Sequence, residues 1–275
     1  MTAFRGSASP TQAWKHFHFE VAGGVGSLTF TRPQKLNALT FQIYADLRDL
    51  LTELPQREDV KVLLLTGTGR GFSSGGDVNE IIGELRKMDP RDLLAFTRMT
   101  GTVTQRMREC PIPIIAAVNG IAAGAGAVIA LAADLRIMAR SASFSFLFTK
   151  VGLSGGDMGS AYLLPRMIGL GRASELLLLG ERVNAERALA IGLANAVVDD
   201  AELVERAKEL ADALAMGPAL AYAATKVLLS RQLDMNLGAS LELDTMTQAL
   251  LMKSADHQEF YTAFQEGREP QWSGR

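Results

Sequence analysis

Two glycine-rich stretches carry the backbone groups of this chain that are best suited to chemistry. The first, Gly69–Val78, follows the apolar run Val62–Leu65. The second, Asn119–Val128, follows the apolar run Ile114–Val118. A strand that leads through small residues into a helix leaves unpaired N–H groups at the helix start, where the helix dipole favours negative charge. Two such groups could converge on one oxygen atom, as an oxyanion hole requires. The alternative is that both stretches are tight turns in which glycine permits close backbone packing.

A third segment places one carboxylate among small and apolar residues. Asp157 stands in Gly152–Gly159, a segment that otherwise contains Leu, Ser, Gly and Met. Loss of solvation in such surroundings would raise the pKa of the carboxylate toward the range that a general acid or base needs. Asp157 is also well suited to cap a helix that starts at Met158, and both roles could coexist. The sequence therefore predicts Asp157 as the acid/base candidate.

The elements that position these segments follow from hydrophobic periodicity. Strands and helices alternate in the first half of the chain, whereas the pattern beyond about Asp157 is helical almost throughout. The predicted strands are 17–21, 25–31, 62–66, 114–118, 135–139 and 144–148. The predicted helices are 40–54, 77–87, 92–109, a central helix ending near 133, 158–167, 173–179, 185–191, 201–216, 219–233, 237–252 and 258–266. This order indicates an α/β core followed by a helical region.

Four motifs resemble the enoyl-CoA hydratase/isomerase (crotonase) superfamily, in the family's order and spacing, over roughly residues 17 to 275. They are TRPQKLNAL at 31–39, GFSSGGD at 71–77, AVNG with its following small residues from 117, and ADLRI at 133–137. The resemblance implies an α/β fold, namely a crotonase-like spiral of ββα units with a C-terminal helical trimerisation subdomain. It divides the chain into a flexible N-terminal lead-in (1–15), a spiral core that binds CoA and the acyl group (16–199) and a C-terminal helical subdomain (200–275).

The resemblance also implies where the substrate would bind. The thioester carbonyl would accept hydrogen bonds from the backbone N–H groups of Gly76 and Ala125, which would form an oxyanion hole for a thioester enolate. The implied substrate and CoA contacts are Lys35, Leu36, Ala38, Ser74, Gly75, Gly76, Asp77, Val78, Ala125 and Phe148. Lys35 is the expected phosphate partner and Leu36 would pack on the adenosine end, with a solvated surface charge as the alternative for Lys35.

The acid/base residues depart from the hydratase pattern. Where hydratases have two glutamates, this chain has Val128 and Phe148, and neither side chain can move a proton. Asp157 resembles the aspartate with which dienoyl-CoA isomerases act on the acyl chain, although the loop before it has one extra residue. We therefore predict an acyl-CoA enzyme of enoyl-CoA hydratase/isomerase type, active in fatty acid metabolism, with Asp157, Gly76 and Ala125 as catalytic residues. Isomerisation or an allied enolate reaction is favoured over hydration.

Two other functions stay open at this point. A non-catalytic acyl-CoA-binding homologue would keep the pocket without the acid/base pair. A more remote alternative is a serine esterase of α/β-hydrolase type, because Gly152–Gly156 matches the G-x-S-x-G pattern and His257 follows in the required chain order. That alternative requires a strand that runs straight into a helix at Ser154.

Composition excludes several classes of protein. With 275 residues and a net charge of -2, the chain can bury a sizeable core but offers no basic surface for nucleic acid. Cys110 is the one cysteine, and neither a secretory signal nor an apolar run of membrane-spanning length is present. We therefore predict a cytoplasmic protein that does not bind membranes. The resemblance to the crotonase superfamily implies a homotrimer or a hexamer (a dimer of trimers). No metal and no separate cofactor are expected, since coenzyme A arrives as part of the substrate.

Overall fold

Ten strands form two sheets in residues 9–275, the part of the chain that this computed structural model describes. The strands are β1 (His18–Ala22), β2 (Val25–Phe30), β3 (Val62–Gly67), β4 (Gly71–Ser73), β5 (Ile114–Val118), β6 (Ile121–Ala123), β7 (Leu135–Ala139), β8 (Ser143–Ser145), β9 (Arg182–Asn184) and β10 (Ala196–Val198). The α-helices are α1 (Phe41–Glu53), α2 (Gly83–Leu85), α3 (Pro90–Glu109), α4 (Ala125–Ala132), α5 (Ser160–Ile168), α6 (Leu170–Leu179), α7 (Ala185–Ala190), α8 (Leu203–Ala215), α9 (Ala219–Arg231), α10 (Leu237–Leu251) and α11 (Ala255–Glu266). A π-helix, Val78–Ile82, leads directly into α2.

The chain adds strands to the two sheets alternately. The large sheet has the order β1-β2-β3-β5-β7-β10, and the small sheet has the order β4-β6-β8-β9. The β1–β2 and β8–β9 pairs are antiparallel, whereas the other pairs are parallel. β3 precedes β4, β5 precedes β6 and β7 precedes β8, so each pair steps from the large sheet to the small sheet before the chain turns into helices. This arrangement confirms the predicted spiral of ββα units.

The centre of the spiral is α4, whose eight residues are all buried. Its sequence, AGAVIALA, allows this because small side chains let neighbouring elements approach closely. On the outer face of the large sheet, α8 packs a stripe of small residues that includes Ala211 and Ala215 against Val62 and Ile115. The core therefore has helices on both faces of the large sheet, which explains why its parallel strands read as nearly continuous apolar runs.

Local sequence features explain several details of the fold. The predicted helix 40–54 begins at Thr40, whose hydroxyl accepts a hydrogen bond from the Ile43 N–H and so caps α1. Gly23 and Gly24, with φ of 61° and 85°, form the tight turn between β1 and β2. Cys110 is buried as a free thiol.

Two local predictions were wrong. The run 144–148 is not one strand, because β8 ends at Ser145 and a 3-10 helix, Leu147–Val151, follows. Ser145 pairs with the first residue of β9, Arg182, so no further partner is available to extend β8. The stretch after β5 does not turn directly into the central helix either, because β6 comes between them and pairs with β4.

The predicted lead-in (1–15) is partly described. Residues 1–8 lie outside the described part of the chain. The Thr11 N–H donates to both carboxylate oxygens of Glu53, at 3.0 and 3.1 Å, and the Trp14 ring stacks on Phe17 with 5.6 Å between ring centroids. Residues 11–14 are therefore attached to α1 and to the core.

The helices after α8 leave large apolar side chains at the surface. The exposed ones are Leu220, Val227, Leu229, Leu233, Leu237, Leu241, Met246, Leu250, Met252, Phe260, Tyr261 and Phe264. Lys226 of α9 ties this region to the core, because its Nζ lies 2.7 Å from Asp134 Oδ2 and donates to the Ile112 carbonyl at 2.9 Å. No single helix in residues 9–275 has the length and hydropathy of a membrane span, although the bent pair Asp200–Ala215 and Ala219–Asp234 meets both criteria jointly.

Candidate active site

Asn37 fixes the loop before α1 against the loop around β4. Its side-chain amide donates to the Thr68 carbonyl at 2.9 Å and to the Gly71 carbonyl at 2.7 Å, and its Oδ1 accepts from the Arg32 N–H at 2.9 Å. The φ of Asn37 is +56°, in the left-handed region that asparagine adopts more readily than most residues. The buried amide thus sets the path of the backbone that leads to Leu39.

Leu39 orients the peptide groups around Gly76. The Leu39 N–H donates to the Gly75 carbonyl, and the Asp77 N–H donates to the Leu39 carbonyl, both at 2.8 Å. In such a parallel bridge, the N–H of the middle residue points away from the partner strand. The Gly76 N–H has no hydrogen-bond acceptor in the described part of the chain. It is therefore available to a ligand.

Ala125 contributes a second free amide at the start of α4. Gly124 precedes it with φ +51° and donates its own N–H to the Ser145 carbonyl at 2.9 Å. Ala125 is the first helical residue, where an N–H has no partner inside the helix, and it finds no acceptor elsewhere in residues 9–275. Because α4 is buried, its dipole acts on this end with little screening by solvent.

These two loops approach each other at the level of the backbone. Gly75 has φ +90°, and a Cβ atom added there would lie 2.8 Å from the Ala123 oxygen and 3.3 Å from the Ala125 nitrogen. A Cβ atom on Gly126 would lie 2.2 Å from the Ser73 oxygen. Only glycine fits at these two positions, so the glycines bring the loop of Gly76 next to the start of α4.

Asp77 caps the π-helix and faces two cations. Its Oδ1 accepts from the N–H groups of Asn79 and Glu80, at 3.0 and 3.1 Å. Its Oδ2 lies 3.4 Å from Arg32 Nη2 and 3.9 Å from Lys35 Nζ. Burial alone would raise the pKa of Asp77, but the two N–H groups and the two cations outweigh it, so the pKa lies below its ordinary value.

The other residues predicted to contact CoA lie along the same edge. The Ser74 N–H donates to the Leu36 carbonyl at 2.9 Å, and the Ser74 hydroxyl donates to the Lys35 carbonyl at 3.3 Å. Ala38 is buried beneath them, whereas Lys35 is half-exposed and Val78 is 66% exposed. Lys35 and Val78 are therefore the two side chains of this edge that a ligand could reach most easily.

Val128 and Phe148, which occupy the positions of the hydratase glutamates, are both buried. Val128 lies in the first turn and a half of α4. The Phe148 ring lies close to the start of that helix, since its Cε1 is 4.0 Å from the Cβ position of Gly124. The two residues give the space beside Ala125 apolar walls without a proton acceptor.

Asp157 lies in a strained turn. It begins a 3-10 turn that ends at Gly159, and its neighbour Met158 has φ +51°, which is unusual for a residue with a side chain. Asp157 Oδ1 accepts from the Met158 N–H at 2.9 Å, and the Asp157 carbonyl accepts from the Ser160 hydroxyl at 2.9 Å. Gly159 is the N-cap of α5, so Asp157 does not cap that helix. Burial raises the pKa of Asp157, against the opposing effect of the Met158 N–H.

Tyr44 of α1 is a polar group that the sequence reasoning missed. Its side chain is 3% exposed and meets Phe96 edge-on, with 5.8 Å between ring centroids. Burial and the nearby charge of Asp157 both raise the pKa of Tyr44. The available signal was the helical spacing of Tyr44 to Leu47 and Leu51, which places it on the apolar face of α1.

The esterase alternative is wrong. Ser154 lies in a loop between two 3-10 helices, Leu147–Val151 and Asp157–Gly159, and not where a strand meets a helix. Its hydroxyl accepts a hydrogen bond from the Gly156 N–H at 3.1 Å.

No group of three or more side chains suited to a metal ion occurs in the described residues.

Comparison with known proteins identifies the family. The sequence profile described as enoyl-CoA hydratase/isomerase matches residues 20–275. The chain is 39% identical over 260 residues to 1,2-epoxyphenylacetyl-CoA isomerase of Escherichia coli K12. The aligned region covers 93% of this chain and 97% of that protein. The chain belongs to the enoyl-CoA hydratase/isomerase family, and it is an enzyme that acts on acyl-CoA thioesters.

Two solved structures agree with this assignment over nearly the whole chain. A crystal structure from Streptomyces coelicolor A3(2), provisionally named enoyl-CoA hydratase, is 57% identical with a TM-score of 0.97 and covers 100% of both chains. The enoyl-CoA hydratase of Bacillus anthracis is 31% identical with a TM-score of 0.89, and the match covers 95% of this chain and 100% of that one. The crotonase fold is therefore shown by sequence and by structure.

Proposed function

We propose that this enzyme polarises the thioester carbonyl of an acyl-CoA with the N–H groups of Gly76 and Ala125, and moves a proton along the acyl chain with Asp157. The observation that carries the proposal is the backbone approach of Gly75 to Ala125, beside two amides without acceptors. Preorganised donors of this kind stabilise charge as it develops on an oxygen, and removal of one typically costs about 10²–10³-fold in rate.

The proton transfer needs one carboxylate. The Asp157 carboxylate accepts a proton from the α or γ carbon, and the electron pair of that C–H bond moves through the chain to the thioester oxygen as an enolate. The protonated carboxyl then returns the proton to the other carbon, which shifts the double bond and restores Asp157. No electron leaves the substrate, so CoA carried by the substrate is sufficient and no further cofactor is required.

Isomerisation is favoured over hydration because the two-carboxylate route is missing. Val128 and Phe148 cannot activate water, and Asp157 is the carboxylate that the resemblance offers instead, with a pKa raised by burial. The 39% identical relative from Escherichia coli is named an isomerase, which supports the same class of reaction. Addition of water by Asp157 alone is the second candidate.

The CoA part of the substrate would follow the edge described above. Lys35 would bind a phosphate, because its side chain is half-exposed. Its Nζ lies 3.9 Å from Asp77 Oδ2, so the phosphate would replace this carboxylate or share the ammonium group with it. Leu36, Ala38, Ser74 and Val78 would line the adenosine and pantetheine portions. We also propose that the protein is cytoplasmic and acts in fatty acid metabolism.

A homotrimer or a dimer of trimers would cover the apolar surface of the last three helices. Phe260, Tyr261 and Phe264 are each more than half exposed on α11, and a large exposed apolar patch marks an interface. Light scattering should give a mass of three or six chains, against 29.6 kDa for one chain. A Phe264→Asp variant should dissociate, and a monomeric wild-type protein would contradict this part.

The test of the reaction is incubation with 2-enoyl-, 3-enoyl-, dienoyl- and aromatic acyl-CoA thioesters in deuterated water, followed by mass spectrometry. We expect isomer formation or deuterium exchange without addition of water. The Asp157→Asn variant should lose this exchange about 10²–10⁴-fold while it binds thioesters as the wild type does. Full activity of that variant would contradict the assignment of Asp157, and a water adduct would favour the second candidate.

A further inference from the structure

Arg32 belongs to the first of the four sequence motifs, but the mechanism above gives it no role. Its side chain is 22% exposed, and its guanidinium group contacts two segments of the chain. Nη1 donates to the Ala38 carbonyl at 2.8 Å, while Nη2 lies 2.6 Å from Glu80 Oε1 and 3.4 Å from Asp77 Oδ2. One planar group thus joins the loop before α1 to the start of the π-helix.

These contacts flank the backbone bridge that orients the Gly76 N–H. In that bridge, Leu39 pairs with the peptide groups on either side of Gly76. Ala38 is the residue before Leu39 in one segment. Asp77 is the residue after Gly76 in the other segment. A guanidinium group that is hydrogen-bonded to the first segment and ion-paired with the second restrains their separation, and with it the direction of the Gly76 N–H.

Arg32 and Lys35 face the same buried oxygen, but Arg32 is held by more contacts. Asp77 Oδ2 accepts no hydrogen bond from the residues that the structure describes, so the two cations balance its charge. Lys35 Nζ lies 3.9 Å from this oxygen on a half-exposed side chain, and it is the group proposed to bind a phosphate. When Lys35 binds a phosphate, Arg32 remains beside Asp77, because the Ala38 carbonyl and Glu80 also hold it.

We infer that Arg32 is a positioning residue for the oxyanion hole, whose guanidinium group keeps the Gly76 N–H directed at the thioester oxygen without touching the substrate. The inference rests on the proposed function, because it requires the Gly76 amide to donate to that oxygen. Donors of this kind act through their preorganised direction, and a displacement of about 1 Å can lower a rate about 10²-fold. Arginine suits the task because its rigid fork serves several acceptors at once, whereas a lysine ammonium group acts as a point charge.

The experiment compares Arg32→Met and Arg32→Lys with the wild type. Infrared spectra of bound butanoyl-CoA with ¹³C at the thioester carbonyl report the polarisation of that carbonyl, and titration calorimetry gives the Kd of free CoA. The kcat and KM are measured with the thioester that the wild type isomerises fastest. In Arg32→Met the band should shift less on binding and kcat should fall about 10²-fold, while KM and the Kd of free CoA stay within about twofold. Arg32→Lys should recover only part of kcat.

Lys35→Met is the matched control, because it removes the other cation that faces Asp77. It should weaken the binding of free CoA and leave the band shift as in the wild type. Glu80→Gln is a second variant that does not threaten the fold, since the Glu80 side chain is half-exposed. A neutral amide should hold the guanidinium group less tightly, so this variant should show a smaller band shift and a lower kcat, both changed less than in Arg32→Met.

The outcomes separate the inference from the proposed function. A full band shift and full kcat in Arg32→Met, or an equal loss of the shift in Lys35→Met, would overturn the inference alone. Weakened binding of free CoA by Arg32→Met with an unchanged band would also overturn it, because Arg32 would then be a CoA ligand. A wild-type band that does not move on binding would instead overturn the proposed function.

Discussion

The proposed active site combines two regions that are built in opposite ways. Around Gly76 and Ala125 the chain uses backbone groups, held by glycines that no other residue could replace and by the bridge to Leu39. Around Asp157 it uses a side chain, set on a 3-10 turn in which Met158 has a left-handed backbone conformation. The first region lies at the centre of the spiral, whereas the second lies between the 3-10 helix Leu147–Val151 and α5.

This difference indicates that the groups that polarise the carbonyl depend little on side chains, whereas the acid/base group depends on one particular side chain. Backbone donors polarise any thioester carbonyl regardless of neighbouring side chains, so this region constrains the sequence through glycine alone. The acid/base group must instead reach a particular carbon of the acyl chain. With Val128 and Phe148 in place of carboxylates, the proposed mechanism assigns the proton transfer to Asp157, which belongs to another element.

A methyl group placed between the two glycine-rich loops should have the largest effect on turnover. In Gly75→Ala the new methyl group would lie 2.8 Å from the Ala123 oxygen and 3.3 Å from the Ala125 nitrogen, so the loops must separate. We expect turnover to fall about 10²–10³-fold, as for loss of an oxyanion donor. Gly83→Ala is the control, because a Cβ atom there meets nothing within 4 Å. Full turnover by Gly75→Ala would separate these glycines from the reaction.

The second region should respond to pH. As a base, Asp157 must be ionised, and burial raises its pKa above the ordinary value of about 3.9. The rate of deuterium exchange should therefore fall tenfold per pH unit below that raised pKa, and the fall should begin at a higher pH than an exposed aspartate would give. The residual exchange of Asp157→Asn should be independent of pH in this range. A wild-type profile as flat as that of the variant would exclude Asp157 as the base.

Asp77 should show the opposite dependence, in stability. Its pKa is lowered, so the folded state prefers the charged form, and the stabilisation is present above the ordinary aspartate pKa and is lost as the pH falls through the lowered value. Asp77→Ala should lower the free energy of unfolding by about 1 kcal/mol at pH 7, as for loss of an N-cap. Asp77→Asn keeps a capping oxygen and should lose less. Chemical denaturation measures both, and an unchanged Asp77→Ala would contradict the cap.

Asp157 should lower stability slightly at neutral pH. Its pKa is raised, so its contribution to stability is complete below the ordinary aspartate pKa and is lost as the pH rises through the raised value. Asp157→Asn should therefore be more stable than the wild type at pH 7, with a difference that disappears at acidic pH. Thermal unfolding at several pH values measures this, and a variant that is less stable at pH 7 would show that the carboxylate is structural.

Much of the fold could be predicted from local signals. The cap at Thr40 and the glycine pair at 23–24 act through their own backbone neighbours, so the sequence around them is sufficient. The end of β8 at Ser145 could not be predicted in this way, because it is determined by where the partner strand β9 begins. The alternating phenylalanines continue past that point and suggest a strand that has no partner.

The candidate site likewise has a part that local sequence patterns indicate and a part that only the fold brings together. The resemblance of the glycine motifs to the family's motifs assigns the Gly76 and Ala125 amides, and the positions of these amides depend on the backbone alone. The relation between Tyr44 and Asp157 joins residues more than a hundred positions apart through the packing of α3 between their elements. No local pattern records that relation. From the sequence alone, Tyr44 is an ordinary core residue, and only the fold shows that the charge of Asp157 raises its pKa.

The central claim is that polarisation of the carbonyl and transfer of the proton are carried out by separate regions. Isotope-edited infrared spectroscopy of a bound acyl-CoA with ¹³C at the thioester carbonyl, recorded together with deuterium exchange in the same sample, tests it directly. The account predicts that the carbonyl band moves to lower frequency on binding to both the wild type and Asp157→Asn, whereas only the wild type exchanges deuterium. A carbonyl band that stays at its frequency in water in the wild-type complex would contradict the account.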